Sequence, residues 1–146
     1  MDQDRPLTND PREIQREGLE ALIAVDVREG PEAEGEGWQV SVVEHLRLQV
    51  PADARQAWIA AELQTWDPWL REQKGFMRRE LLWDGARQEG VLLIHWSNRD
   101  DWKAIPESEV TAIQQQFESS AKQILSLPFH SENPFPLVFA GESSVS

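Results

Sequence analysis

Cysteine and tyrosine are both absent from the sequence. Without cysteine the chain can form no disulfide, and it can offer neither a thiolate nucleophile nor a Cys-ligated zinc site. Without tyrosine no phenol can act as a general acid or base. No segment approaches the roughly 18 apolar residues that a membrane-spanning helix requires, and the opening residues MDQDRPLTNDPRE are too acidic for a signal peptide. We therefore predict a cytoplasmic protein that has no membrane partner.

Basic residues are also scarce, since 14 lysines and arginines face 26 acidic residues and give a net charge of −12. A phosphate backbone would be repelled by this charge, so nucleic acid is excluded as a partner. Residues 1–37 alone hold eleven acidic and four basic residues, a net charge of −7 that leaves −5 for the rest. Such acidity is typical of a soluble surface, and the alternative is that this acidic segment recognises another protein.

The first part of the chain is interpreted as an extension that precedes the folded domain. The spacing of apolar residues in PREIQREGLEALIAV predicts a short amphipathic helix over residues 11–25. The glycine- and glutamate-rich stretch 28–37 is typical of a solvated linker. We therefore divide the chain into a partly disordered acidic extension at 1–37, a folded domain at 38–140 and a flexible tail at 141–146.

Within the folded domain, the apolar periods predict six strands and helices. Pro68 must kink or restart the first helix, and Pro106 opens the second. A further helical turn, capped by Asn98, is expected between the third strand and the second helix. The predicted elements are strand 38–50, helix 52–74, strand 76–84, strand 91–97, helix 107–125 and strand 134–140.

This order predicts an α+β fold of the ferredoxin-like βαββαβ type, with an antiparallel sheet and both helices on one face. Such a sheet places its first and third strands side by side, so His45 and His95 are expected to lie close together. The face without helices is expected to be covered by a second subunit, which would make the protein a homodimer.

Three stretches of this domain, VVEHLRLQVP, KGFMRRELLW and VLLIHWSNRDDWKAI, resemble the antibiotic-biosynthesis-monooxygenase-like (ABM) domains of the dimeric α+β barrel superfamily. The similarity covers about residues 40–140 and depends mainly on Gly75-Phe76 at the start of one strand and Trp96-Ser97 at the end of another. The resemblance implies a dimeric α+β barrel and one of two chemistries. One is the oxidation of aromatic polyketide-like substrates by oxygen without a cofactor, and the other is the binding and degradation of haem.

The haem-degrading branch of this family uses an asparagine on the first strand, a tryptophan on the third strand and a histidine on the second helix. Trp96 matches the tryptophan, whereas the asparagine position falls near Glu44 or His45. The second helix, ESEVTAIQQQFESSAKQIL, contains no histidine. No cofactor is therefore expected, and a haem-binding protein that lacks the usual degradation residues is the remaining alternative.

Glu44 interrupts an apolar row on the first strand of the predicted domain. Desolvation in such a row would raise the pKa of its carboxyl, which suits proton abstraction from an activated carbon acid. Glu44 or His45 is thus the candidate catalytic base. The alternative is structural, with Glu44 in an ion pair with Arg78 or Arg79.

Large rings and two arginines are the candidate lining of a pocket between the sheet and its helices. Trp96 would line this pocket or close the core at that end, and one of the arginines would stabilise a developing enolate. His95, on the opposite face from Trp96, is interpreted as a satisfied histidine. A metal site from His45, His95 and Glu44 has no tight ligand motif, so no metal is predicted. The pocket-lining candidates are Trp66, Trp69, Trp83, Trp96, Arg78 and Arg79.

These features predict a protein that binds a small hydrophobic or aromatic molecule. As an enzyme it would be a cofactor-independent monooxygenase or isomerase, and without turnover it would be a binding protein for the same class of molecule. The alternative function is that of a non-catalytic dimeric protein-interaction module, in which the acidic N-terminal segment docks onto another protein.

Overall fold

The computed structural model describes residues 19–26 and 39–144, the first of these stretches by its backbone alone. Within this range the protein has an α+β fold, in which helices pack on an antiparallel sheet. The predicted linker at 28–37 and the first part of the helix predicted at 11–25 lie outside the described residues. No helix in the described stretches is long and apolar enough to cross a membrane.

The sheet contains five strands: β1 Leu19–Asp26, β2 Val42–Gln49, β3 Phe76–Asp84, β4 Glu89–Trp96 and β5 Leu137–Ser144. Neighbouring strands are antiparallel, and their order is β1-β3-β4-β2-β5. Strands β2 to β5 have an order and connectivity that are compatible with a ferredoxin-like fold. Strand β1 is added along the outer edge of β3.

The helices are α1 Arg55–Gln64, α2 Trp66–Arg71, α3 Arg99–Lys103 and α4 Glu107–Ile124. The kink predicted at Pro68 occurs as a break at Thr65, which has φ −120° and ψ −71°. The Thr65 hydroxyl donates to the carbonyl oxygen of Ala61 at 2.7 Å. Pro68 then falls in the first turn of α2, where a missing backbone N–H removes no helical hydrogen bond.

One face of the sheet packs against α1 and α4 and forms the hydrophobic core. Alternate residues of the central strands, such as Leu81 and Leu92, point to this face. Trp58 of α1 is fully buried and lies directly over Gly90, where an added Cβ would come within 2.6 Å of the indole. Phe117 of α4 is also fully buried in this core. A glycine is therefore required at position 90, because the Trp58 ring occupies the space that a side chain there would need.

The opposite face of the sheet, called the open face below, carries many charged and histidine side chains. Its aliphatic residues Leu82 and Val91 are only 1% and 2% exposed within a single chain. Burial of Leu82 and Val91 therefore does not by itself require a second subunit, whereas Val43 and Leu93 on the same face are half-buried. The charged and histidine residues of β2, β3 and β4 on this face are His45, Arg47, Arg78, Glu80, Asp84, Glu89 and His95.

Two boundaries differ from those predicted from the sequence. Residues 19–26, expected in a helix of a separate extension, form β1 and pair with β3, so they belong to the same sheet as the folded domain. The stretch LEALIAV fits both a helical and a strand period, and the free edge of β3 supplies the hydrogen-bond partners that favour a strand. At the C-terminus residues 141–144 are strand rather than flexible tail, because β2 pairs with them up to Ser144.

Candidate functional site

Glu44 lies half-buried on the helix-covered face of the sheet, near the start of β2. Its cross-strand neighbours are Ile94 on β4 and Glu142 on β5. The Oε1 atom of Glu44 accepts a hydrogen bond of 3.3 Å from Nε1 of Trp96. The single polar atom of a buried indole therefore fixes the position of this carboxyl group.

Trp96 is 1% exposed and belongs to the hydrophobic core. Its ring meets the edge of Phe76 at a centroid distance of 5.8 Å, and it stacks on Trp102 at 6.2 Å with an interplanar angle of 12°. Of the two predicted roles, the structure places Trp96 in the one that closes the core. Its contribution to the site is the N–H donated to Glu44, not an exposed ring wall.

Two charged residues flank Glu44. Glu142, directly opposite on β5, accepts hydrogen bonds from Nε and Nη2 of Arg99 at 2.7 and 3.1 Å. The Lys103 ammonium lies 4.1 Å from the centroid of the Trp102 ring. The name Glu44 site is used below for Glu44, Trp96, Trp102, Lys103 and Glu142.

The surroundings of the two carboxyl groups move their pKa values apart. Burial raises the pKa of Glu44 to about 6, although the Trp96 hydrogen bond and the Lys103 charge act in the opposite direction. The hydrogen bonds from Arg99 lower the pKa of Glu142. At neutral pH Glu44 is thus close to its own titration while Glu142 is ionised. Carboxyl groups separated in this way can divide acid and base roles between them.

Neither arginine that the sequence assigned to an enolate lies at the Glu44 site. Arg78 is on the open face, opposite His95 in the register. Arg79 is 1% exposed and is occupied by carboxylates of α1 and α2. The predicted ion pair between Glu44 and one of these arginines is therefore wrong. Lys103 is instead the cation whose charge reaches Glu44.

Arg79 is the centre of a buried ionic cluster that joins β3 to α1 and α2. Its Nη1 donates to Oε1 of Glu62 at 2.6 Å, and its Nε lies 3.5 Å from Oδ1 of Asp67. Burial raises the pKa of Glu62, and the Arg79 charge opposes this. The indole nitrogen of Trp58 is close enough to lower the pKa of Glu62, although it misses hydrogen-bond geometry. This cluster fixes the two helices to the sheet.

His45 lies on the open face, although it follows Glu44 directly, because successive strand residues point to opposite faces. Glu44 and His45 therefore belong to different sites. His45 and His95 are diagonal neighbours on β2 and β4, as the predicted topology requires. His95 is buried and its Nε2 lies 3.3 Å from Oε1 of Glu80. In the described stretches no three His, Asp or Glu side chains form a group that could hold a metal ion.

The remaining predicted lining residues are dispersed. Trp83 lies at the turn end of the β3–β4 hairpin, whereas Trp96 lies at its opposite end. The Trp83 Nε1 donates to the carbonyl oxygen of Val50 at 3.0 Å, so this indole anchors the chain that leaves β2. Trp66 and Trp69 pack edge to face at 5.5 Å on α2. These four rings therefore do not line one pocket.

Three residues of the Glu44 site were not predicted from the sequence. Glu142 falls in the segment interpreted as a tail, and only its pairing with β2 brings it opposite Glu44. Trp102 and Lys103 lie on α3, whose predicted cap is present, because Oδ1 of Asn98 accepts a hydrogen bond of 2.7 Å from the backbone N–H of Asp101. The helical turn was recognisable, but its position over the sheet was not.

Comparison of the chain with protein-family models, with curated proteins and with solved structures finds no match in any of the three.

Proposed function

We propose that this chain is an ABM-like protein that binds a small hydrophobic or aromatic carbon acid and exchanges a proton with it through Glu44. The observation that supports this proposal is the placement of the Glu44 carboxyl, half-buried in an apolar row and held by the Trp96 indole at 3.3 Å. A carboxyl fixed by a donor on one oxygen has its second oxygen available as a base.

The proposed reaction starts when Glu44 removes a proton from a carbon next to a carbonyl group. The electron pair of the broken C–H bond moves into the carbonyl and forms an enolate, which the Lys103 ammonium stabilises. For isomerisation, Glu44 returns the proton to another carbon. For oxidation of a methylene carbon, molecular oxygen adds to the enolate carbon and takes up the proton from Glu44 to give a hydroperoxide. Loss of the second C–H proton with cleavage of the O–O bond then leaves a carbonyl on that carbon and releases the other oxygen atom as water.

Glu142 and Trp102 have supporting roles in this proposal. Two hydrogen bonds from Arg99 hold the ionised Glu142, which places a second negative charge opposite Glu44. Such a charge disfavours ionisation of Glu44 and keeps its basicity above that of an ordinary glutamate. The half-buried Trp102, which stacks on the buried Trp96 ring, supplies apolar surface beside the carboxyl.

The test is proton exchange, because exchange precedes both oxidation and isomerisation. Aryl ketones such as 2-tetralone are incubated with the protein in D2O, and loss of the α C–H signal is followed by NMR. A positioned base is expected to accelerate exchange by about 10²- to 10⁴-fold. Glu44→Gln is expected to remove this acceleration, whereas Glu118→Gln, a matched change on α4, is expected to retain it. Equal exchange rates in the protein and in Glu44→Gln would refute the proposal.

The proposed reaction uses no cofactor, and haem binding is the alternative to be eliminated. Hemin is titrated into the protein while its Soret absorbance and the tryptophan fluorescence are recorded. The proposal expects neither a shifted Soret band nor saturable quenching. Stoichiometric binding of hemin would favour a haem protein instead.

We also propose that the protein is a homodimer. Strand β5 lies at the edge of the sheet and exposes Leu137, Val138 and Phe139 by 55%, 51% and 46%. Exposed apolar edge strands pair readily with another chain. Light scattering at micromolar concentration is expected to give twice the chain mass, and a value near 16.7 kDa would contradict the dimer.

A further inference from the structure

The open face contains a cavity of about 360 Å³ that is separate from the Glu44 site. It lies where β2, β5 and the turn between β3 and β4 meet, so it is on the opposite side of the sheet from Glu44. Its volume falls within the range of small-molecule sites. The cavity is lined by His45, Arg47, Arg87, Glu89, Val138 and Phe139.

Two guanidinium groups of this cavity are held by one carboxylate oxygen. Nη1 of Arg47 and Nη1 of Arg87 each donate to Oδ2 of Asp84 at 3.1 Å. Asp84 is 5% exposed, and its other oxygen accepts the backbone N–H groups of Ala86 and Arg87. Burial opposes ionisation of Asp84, but these hydrogen bonds together lower its pKa. Asp84 therefore works as an ionised clamp that holds the two arginines side by side.

The clamp leaves donors of both arginines unused. Arg47 donates through Nε to His45 and through Nη1 to Asp84 and Glu89, at 3.3, 3.1 and 3.1 Å. Arg87 uses its Nη1 for Asp84. Within the described part of the chain, the Nη2 atoms of both residues make no hydrogen bond. Each side chain thus retains an N–H edge for a ligand that reaches the cavity.

The other side of the cavity is apolar and aromatic. The His45 and Phe139 rings lie 5.0 Å apart at an interplanar angle of 59°. Arg47 donates to Nε2 of His45, so the imidazole is neutral, with its proton on Nδ1. Burial and the Arg47 charge lower the pKa of His45, in agreement with this neutral form. Val138 extends the apolar wall next to Phe139.

We propose that this cavity binds a small planar aromatic carboxylate. The carboxylate would accept charge-assisted hydrogen bonds from the free Nη2 atoms of Arg47 and Arg87, and the ring would lie against Phe139 and Val138. A single negative charge fits better than a phosphate dianion, because Glu89 and Asp84 already supply two carboxylates. This site is independent of the proposed chemistry at Glu44.

The test compares benzoate with its neutral isostere benzamide by isothermal titration calorimetry on the full chain. Benzoate is expected to bind saturably, and benzamide about tenfold more weakly or not at all. Inorganic phosphate at the same concentration is expected to compete poorly. Perturbed backbone amide signals of Arg47, Glu89 and Phe139 in a ¹⁵N NMR titration would locate the benzoate in the cavity.

Arg87→Gln is the decisive variant, because Arg87 is 68% exposed and its replacement should leave the fold intact. It is expected to weaken benzoate binding at least about fivefold. The matched control is Arg99→Gln, which removes another exposed arginine from an ion pair outside this cavity, and it is expected to leave the affinity within about twofold. The proposal is overturned if benzoate shows no saturable binding, if benzamide or phosphate binds as well, or if both variants behave alike.

Discussion

Glu44 and Glu142 lie directly opposite each other on β2 and β5, and their pKa values are shifted in opposite directions. Like charges in directly opposed cross-strand positions are normally unfavourable. Here Arg99 forms an ion pair with Glu142 through two hydrogen bonds, while burial disfavours the ionised form of Glu44. The arrangement leaves one carboxyl of this pair able to take up a proton near neutral pH.

Replacing Glu44 by Gln is expected to reduce the pH dependence of stability. The folded-state pKa of Glu44, about 6, lies above its ordinary value of 4.5. Between pH 4.5 and about 6 the native state therefore binds more protons than the unfolded state, and the free energy of unfolding falls as the pH rises through this range. In the unsubstituted protein, this decrease in the free energy of unfolding amounts to about 2 kcal/mol. Urea unfolding at a series of pH values measures it. Glu118→Gln serves as the control with wild-type slope, and an unchanged slope in Glu44→Gln would contradict the shift.

Replacing Arg79 by Met is expected to destabilise the protein by about 3–5 kcal/mol, because the buried Glu62 would lose its cation and Asp67 would keep only Arg71. Addition of Glu62→Gln to this variant is expected to recover part of the loss. Arg71→Met is the control, since Arg71 pairs with Asp67 at the surface and is expected to cost less than about 1 kcal/mol. Chemical denaturation of the unsubstituted protein, the two single variants and the double variant measures their free energies of unfolding. Equal losses for Arg79→Met and Arg71→Met would show that the buried cluster contributes no more to stability than the surface ion pair.

Replacing Gly90 by Ala is expected to cost about 1–3 kcal/mol, because the new methyl group would come within 2.6 Å of the fully buried Trp58 ring. Gly85→Ala is the comparison, since its methyl would approach the edge of the half-buried Trp83 at 3.1 Å. Its cost is expected to stay below about 1 kcal/mol. Thermal unfolding of both variants measures the difference, and a neutral Gly90→Ala would mean that Trp58 does not pack against β4 as described.

Replacing Asn98 by Ala removes the cap of α3 and is expected to cost about 1 kcal/mol. Because α3 carries Lys103, loosening this helix is also expected to raise the pKa of Glu44 further. Titration of the Glu44 carboxyl carbon by NMR measures this effect. Asn133→Ala removes a comparable bond, to the backbone N–H of Phe135, at the other end of β5. It should lower stability while the pKa of Glu44 stays constant, and an equal shift in both variants would exclude a specific role for α3.

The sequence by itself determined most of the secondary structure. The period of the apolar residues predicted β2 to β5 and the helices that cover them. Pro68 predicted the break between α1 and α2, and Asn98 predicted the cap of α3. These features depend on a few neighbouring residues, so a single sequence contains them. The order of strands β2 to β5 in the sheet followed from their succession along the chain, since few ways of pairing them keep the connections short.

The tertiary structure decided which of these residues act together. A free edge of β3 turned Leu19–Asp26 into a strand, and the edge of β2 extended β5 to include Glu142. Arg79 pairs with carboxylates of α1 and α2, and the charge of Lys103 on α3 acts on Glu44. Such hydrogen-bond and charge partners are distant in the chain and are selected by the sheet order and by the depth of burial. The periodicity of neighbouring residues specifies neither the sheet order nor the depth of burial.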